Sequence, residues 1–167
     1  QIGNFASHYG IPLCETIAGK GAVIHSHPAY VGGIGVTGSS SANAMAASAD
    51  VILAVGTRLQ DFTTGSWTAF AENAQFVSIN TARWDAVKHQ ALDVVGDALE
   101  TIQEIEAGLG DWSAPESWTA KGREEMKTWD ALLDEKQKPT NAISPSYAPI
   151  IKVAQDNTND RDLVITA

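Results

Sequence analysis

Gly33-Ile34-Gly35-Val36-Thr37-Gly38 satisfies the spacing G-x-G-x-x-G. In that spacing, glycines allow a tight turn that brings backbone amides against a pyrophosphate at a helix N-terminus. The pattern carries this meaning only between a strand and a helix, with an acidic residue about 20 positions on. The helix half is present, because Ser39 to Ser41 are candidate N-caps for a small-residue helix running to Ala49. The strand half is not. Ser26-His27-Pro28-Ala29-Tyr30-Val31 holds a proline and only two consecutive apolar residues, which predicts no central strand there. The glycines have a plainer use as well, in permitting positive φ and close approach to a neighbouring segment.

Other groups suggest chemistry less strongly. Gly19-Lys20-Gly21 invites comparison with a phosphate-binding P-loop, but that motif needs glycine at position 14 and serine or threonine at position 21, where this chain has Cys14 and Gly21. Lys20 still follows a predicted parallel strand, at the sheet edge where ligands bind. His25 and His27 stand as His-x-His without the Cys, His or carboxylate partners that complete a metal set. Arg58 lies just past the carboxyl end of the most apolar strand, where anionic ligand groups collect, and Asp61 is close enough in sequence for an ion pair with it. Cys14 is the single cysteine, so it forms no internal disulfide, and its apolar surroundings predict a small buried thiol. There is no Ser-His-Asp or Cys-His set and no paired carboxylate. Alone, these residues support a ligand-binding or subunit-binding α/β domain and fix no reaction.

Elements must position these groups, and the pattern supplies them. Ile2, Phe5, Ala6 and Tyr9 recur at helical spacing, ended by Gly10 and Pro12. Strands are expected at about Leu13 to Ile17, Val51 to Val55, Gln75 to Asn80 and Leu92 to Val95. Val51 to Val55 has no alternation, as a strand covered on both faces of a parallel sheet should. Asp97 and Glu100 form a capping box for a helix to about Ala107. The expectation is an open Rossmann-like parallel sheet with helices on both faces. Beyond Gly108 a connector holds an amphipathic helix, about Thr119 to Lys136, with Met126, Trp129, Leu132 and Leu133 on one stripe. Ser144 and Pro145 have N-cap and N1 character for a helix over Ser146 to Gln155, and Asp162 to Ala167 has the pattern of a buried strand. A start without Met and a closing strand without a crossover helix read as a piece of a longer polypeptide.

The apolar fraction of 44% is that of a globular domain, and the net charge of −9 repels nucleic-acid backbones and anionic lipid, with no basic patch to offset it. No apolar run reaches the roughly 18 residues of a membrane span, and no basic n-region opens the chain. A cytoplasmic protein without nucleic-acid or membrane partners is expected.

Gly10-Ile11-Pro12, Gly19-Lys20-Gly21, His27-Pro28, Gly35-Val36-Thr37-Gly38, Ala42-Asn43, Ala49-Asp50, Val55-Gly56-Thr57-Arg58, Thr64-Gly65 and Gly96-Asp97, in that order, resemble the central domain of thiamine-diphosphate enzymes of the acetolactate synthase and pyruvate oxidase group. Within the group, residues 54–66 are most similar to a hydrolase that opens a cyclic diketone at a carbon–carbon bond in myo-inositol catabolism.

The resemblance implies a central α/β domain over residues 1–107 with its first strand missing, a connector over 108–143, and the start of a pyrophosphate-binding domain over 144–167. It implies thiamine diphosphate and Mg2+ held by domains outside this segment, a homodimer or homotetramer, and no catalytic or metal-ligating residue within it. In the acetolactate synthase branch, segments matching Gly35 to Gly38 and Gly56 to Arg58 hold FAD. Here Thr37 stands where that branch has histidine, and Ser78-Ile79-Asn80-Thr81 stands where it has an Asp-containing strand end. The expectation is a vestigial nucleotide edge at Gly35, Thr37, Gly38 and Arg58 that binds no flavin, with Lys20 a candidate for the substrate channel. An acetolactate synthase-like carboligase with FAD and a nucleotide-binding Rossmann-like module remain the alternatives.

Overall fold

The structure, a computed structural model, describes residues 1–139, 141, 143–144 and 146–159. The chain divides into two compact units, Gln1–Lys127 and Thr128–Ala167. The first holds α1 (Ile2–His8), β1 (Leu13–Glu15), β2 (Tyr30–Gly33), α2 (Ser40–Ser48), β3 (Val51–Val55), α3 (Asp61–Thr64), β4 (Gln75–Asn80), α4 (Arg83–Ala86), β5 (Leu92–Val95) and α5 (Ala98–Leu109). A long helix, α6 (Glu116–Lys136), begins in the first unit and ends in the second, which also holds α7 (Tyr147–Asp156).

All strand pairs are parallel, in an α/β arrangement of two sheets ordered β1-β2 and β3-β4-β5. Val51 to Val55 run opposite Gln75 to Ile79, and Val77 to Asn80 opposite Leu92 to Val95, so β4 is the central strand of the larger sheet. Helices pack on these sheets as two apolar clusters. Phe5 of α1 and Tyr9 just after it meet Ile79 of β4 and Ile102 of α5. Val31 and Ile34 meet Ala42, Met45 and Ala46 of α2, with Phe70 and Trp118 against them.

Local signals explain the ends of these elements. Ser39 Oγ accepts the Ala42 amide at 3.2 Å, and Asp97 Oδ1 accepts those of Leu99 and Glu100 at 2.8 and 3.1 Å, so both helices start where serine and aspartate predict. After α1 the chain turns at Gly10, whose φ of +67° suits glycine.

Four expectations need correction. A strand does precede the glycine loop, because Pro28 lies before β2 and an edge strand four residues long needs little apolar sequence. β3 is less enclosed than its composition predicts: among the described residues it pairs only with β4, and Val51 is 52% exposed. Cys14 is exposed, next to buried Glu15 in β1. The helix α7 starts at Tyr147 with Ser146 at its N-cap, two residues beyond the expected cap at Ser144.

The connector helix also starts earlier, at Glu116, and its first turns join the α/β unit. Thr119 Oγ1 donates to the Gly10 carbonyl at 3.0 Å, and a Cβ at Gly122 would lie 3.2 Å from Val31 Cγ1, so glycine lets the helix approach β2 closely. The expected strand over Asp162 to Ala167 and the expected N1 position of Pro145 lie outside the described residues. Among the described residues no helix is long and apolar enough to cross a membrane.

Candidate functional site

The carboxyl ends of parallel strands are where ligands meet an α/β sheet. Here they carry three features: the hub around Glu15, the loop after β2 and the turn after β3.

Glu15 closes β1 and is 4% exposed. Its carboxylate accepts the amides of Gly21 and Val23 at 3.0 and 2.9 Å, and faces Lys20 Nζ at 3.4 Å. Burial pushes its pKa up, but the Val23 amide and Lys20 outweigh burial and hold the carboxyl below the ordinary glutamate range. Lys20 also donates to the Tyr30 hydroxyl at 3.0 Å and lies over that ring at 5.2 Å. The Tyr30 hydroxyl, with Glu15 behind it, raises the ammonium's pKa. Lys20 is therefore paired, although its side chain is 65% exposed at the rim. Sequence reasoning gave Glu15 no role. Its signal was a single charge within Ile11-Pro12-Leu13-Cys14-Glu15.

The loop from Gly33 to Gly38 is closed on itself. Ile34 N–H donates to the Glu15 carbonyl at 2.9 Å, Val36 N–H to Phe62 at 2.9 Å, Gly38 N–H to Gly35 at 2.9 Å, and Ser39 N–H to Gly33 at 2.7 Å. The Asn43 amide grips Gly35 twice, accepting its N–H at 3.0 Å and donating to its carbonyl at 2.9 Å. The glycines are required by contact. A Cβ on Gly38 would meet the Gly33 oxygen at 2.4 Å, and one on Gly35 the Phe62 oxygen at 2.4 Å. So strand, loop and helix stand in fingerprint order, yet the amides of residues 34, 35, 36, 38 and 39 already donate within the protein. They do not fit a phosphate cradle, which needs such amides free. Asn43, which makes the clamp, was assigned no role from the sequence.

The turn after β3 is braced from beneath. Gly56 N–H donates to Ile79 at 2.8 Å, Asn80 Nδ2 to the Thr57 carbonyl at 3.1 Å, and Lys88 Nζ to the Arg58 carbonyl at 2.6 Å while pairing with Asp85 at 2.7 Å. Buried Leu59 follows with a left-handed φ of +46°, which aims its side chain inward and leaves Arg58 outside. With the Gln60 amide oxygen turned toward it, the Arg58 guanidinium donates to that oxygen at 3.0 and 3.3 Å. No Arg58–Asp61 ion pair occurs among the described residues; Asp61 instead opens α3.

Gly35, Thr37 and Gly38 thus share one loop packed against α3, Lys20 is tied to that loop through Glu15, and Arg58 stands separately on its own turn. The histidines of His-x-His part: His27 Nδ1 accepts the Ala29 amide at 3.2 Å, and His25 meets the Tyr30 ring edge-on at 5.7 Å. No group of three His, Cys, Asp or Glu side chains suited to a metal occurs among the described residues. A shallow apolar groove of about 200 Å3 lies elsewhere, between α1 and α6 by way of Ala6, Pro12, Val31, Thr119 and Arg123.

Sequence comparison gives this geometry its context. Residues 1–105 match the family described as "Thiamine pyrophosphate enzyme, central domain". A Clostridium perfringens protein named 3D-(3,5/4)-trihydroxycyclohexane-1,2-dione hydrolase is 34% identical over 165 residues, which is 98% of this chain and 25% of that protein. Proteins of the same name from Geobacillus thermodenitrificans and Bacillus cereus are 46% identical over 108 residues and 38% identical over 134, covering 65% and 80% of this chain but 17% and 21% of theirs. The chain therefore spans at most about a quarter of the length of these curated relatives.

Proposed function

Because the chain belongs to the central-domain family of thiamine pyrophosphate enzymes, we propose that it is the central domain of a thiamine-diphosphate-dependent hydrolase of myo-inositol catabolism. That enzyme would open 3D-trihydroxycyclohexane-1,2-dione to 5-deoxyglucuronate. The observation that carries the reading is the extent of the likeness. The alignment at 34% identity spans 165 residues, past residue 105 where the family match ends, so it takes in the connector and α6.

In this reading residues 1–107, 108–143 and 144–167 are the central domain, the connector and the start of a pyrophosphate-binding domain. Thiamine diphosphate supplies the electron sink for carbon–carbon cleavage and is held, with Mg2+, by other domains of a cytoplasmic homo-oligomer. The segment contributes no catalytic group. Its part is to hold the strand-end loops rigid: the Asn43 clamp fixes the glycine loop, and the Thr57–Gln60 turn presents Arg58 to a substrate anion or a neighbouring domain. The bonded amides of the glycine loop support a domain without flavin.

The longer protein tests this. Supplied with thiamine diphosphate and Mg2+, it should consume the cyclic dione and release the open acid, without flavin absorbance. Condensation of pyruvate in place of dione loss, or stoichiometric FAD, would mean a flavin carboligase instead. Micromolar NAD or FAD binding by residues 1–167 would favour a nucleotide-binding module.

A further inference from the structure

The groove between α1 and α6 combines apolar walls with polar groups left unspent. It lies wholly within the unit Gln1–Lys127, and its walls are Ala6, Ile11, Pro12, Pro28, Ala29 and Val31. The backbone along these walls is used inside the protein. Ile11 N–H donates to Ala6 at 2.8 Å, Leu13 N–H to Ala29 at 2.7 Å, and the Thr119 hydroxyl to Gly10 at 3.0 Å. Pro12 and Pro28 have no N–H to offer. The bare Gly122 brings α6 close to Pro12 and Val31 and so forms the opposite side of the groove.

Two groups facing this space have no partner. Neither the Ser7 hydroxyl nor the Arg123 guanidinium makes a hydrogen bond or an ion pair among the described residues. For Arg123 this runs against composition, since the chain carries twenty acidic residues against eleven basic ones. Its neighbours one turn away on α6 are Thr119, Ala120, Met126 and Lys127, none of them acidic. Glu124 and Glu125 follow it directly, and residues one and two apart on a helix do not face each other. No carboxylate lines the groove among the described residues. The protein thus sets one cation at an apolar hollow and supplies no anion for it.

We propose that this groove binds a small apolar monocarboxylate, its alkyl body against Pro12, Pro28 and Val31 and its two oxygens on the planar fork of Arg123, with Ser7 as a second donor. Size sets the body. An apolar cavity of about 150 Å3 holds benzene, so the groove's volume of about 200 Å3 takes about eight non-hydrogen atoms, a carboxylate with a short branched chain. A polyol would leave its hydroxyls unpaired against the apolar walls. The site stands or falls apart from the proposed reaction, because none of its tests measures turnover of the dione.

The probe is 4-methylpentanoate, an acid of that size. Titrated into isotope-labelled residues 1–167, it should shift the amide resonances of Gly10, Ile11 and Gly122 saturably, with a Kd of about 1 mM or tighter. At ten times that concentration it should raise the unfolding midpoint by roughly 3 °C. The amide of the same acid, which keeps the shape and lacks the charge, should bind at least tenfold more weakly, and so should acetate, which keeps the charge and lacks the body. Arg123→Gln should weaken the acid at least tenfold without moving the midpoint of the unliganded protein, and Arg123→Lys should recover part of the loss. Absence of saturable shifts at these amides would overturn the proposal, as would undiminished binding by Arg123→Gln. Acetate binding as tightly as the longer acid would reduce the site to a surface arginine that attracts any anion, and overturn it too. Calorimetry on the longer protein gives the last check. An acid that binds residues 1–167 but not the longer protein would make the groove a seat for the protein's own polypeptide, against the proposal.

Discussion

The loop after β2 and the turn after β3 are each a glycine-bearing exit from a parallel strand at the same kind of sheet edge. They use their polar groups differently. Between Gly33 and Ser39 amide after amide donates inward, with Asn43 holding Gly35 from both sides. Between Gly56 and Gln60 the bracing comes from beneath, through Ile79, Asn80 and Lys88, and the guanidinium of Arg58 is left outside with one neutral partner. A glycine motif therefore does not by itself mark a ligand site. The informative quantity is how many donors remain free once the local structure has formed.

The contrast can be broken most severely at Gly38. Gly38→Ala places a Cβ 2.4 Å from the Gly33 oxygen and 2.7 Å from the Gly35 nitrogen, and both are backbone atoms that cannot rotate away. A loss of about 3 kcal/mol in urea unfolding is expected. At Gly56 a Cβ meets no atom within 4 Å, so Gly56→Ala carries only the cost of its φ of +63°, about 1 kcal/mol. If the two substitutions cost the same, the closed-loop description is wrong.

A milder break removes the clamp without adding atoms. Asn43→Ala deletes two hydrogen bonds to Gly35 and leaves its part-buried N–H unsatisfied, while its carbonyl still accepts the Gly38 N–H, for about 2 kcal/mol. Exchange at Gly35 should rise, while the Thr57–Gln60 turn keeps its protection. Glu15→Gln, on the same side of the comparison, exchanges charge-assisted bonds for neutral ones and should cost about 1.5 kcal/mol at neutral pH. Its pH dependence is diagnostic. The folded pKa is depressed, so the ionised carboxylate stabilises the fold fully above the unfolded value of about 4.3. That contribution is lost as pH falls through the folded pKa. The gap between wild type and Glu15→Gln should be flat from pH 8 to about 5 and close below about 4. A gap that persists unchanged into acid would mean that Glu15 is not the ionised hub.

How much of this was legible in the sequence depends on how local each cause is. Helix starts at Ser39 and Asp97 and the strands at 75–80 and 92–95 follow from capping and apolar runs within a few residues, and they occur as expected. β2 was obscured because a short edge strand beside a proline lacks the long apolar run of a central one. Exposure of Cys14 and Val51 depends on which strand lies beside them, and periodicity carries no such information. Glu15 and Asn43 act through partners 6 to 8 residues away, brought back by turns, so only the folded loop shows why a charge and an amide stand there. The position of Arg58 just past β3 was legible because its signal, a cation directly after a strand end, is local.

Arg58 gives the smallest effect on stability and the sharpest reading of the comparison. Its side chain is exposed, its one side-chain partner among the described residues is the neutral Gln60 amide, and the turn is held through the Arg58 carbonyl, which any residue supplies. Arg58→Ala should therefore change unfolding free energy by less than about 0.5 kcal/mol. If the guanidinium meets an anionic group of the substrate or a neighbouring domain, the same substitution in the longer protein should raise KM or weaken assembly roughly tenfold, with Arg58→Lys recovering part of the loss, since lysine keeps the charge but not the planar fork. A variant with unchanged stability, KM and assembly would show that a cation left outside at a strand end can be as uncommitted as the glycine loop is closed.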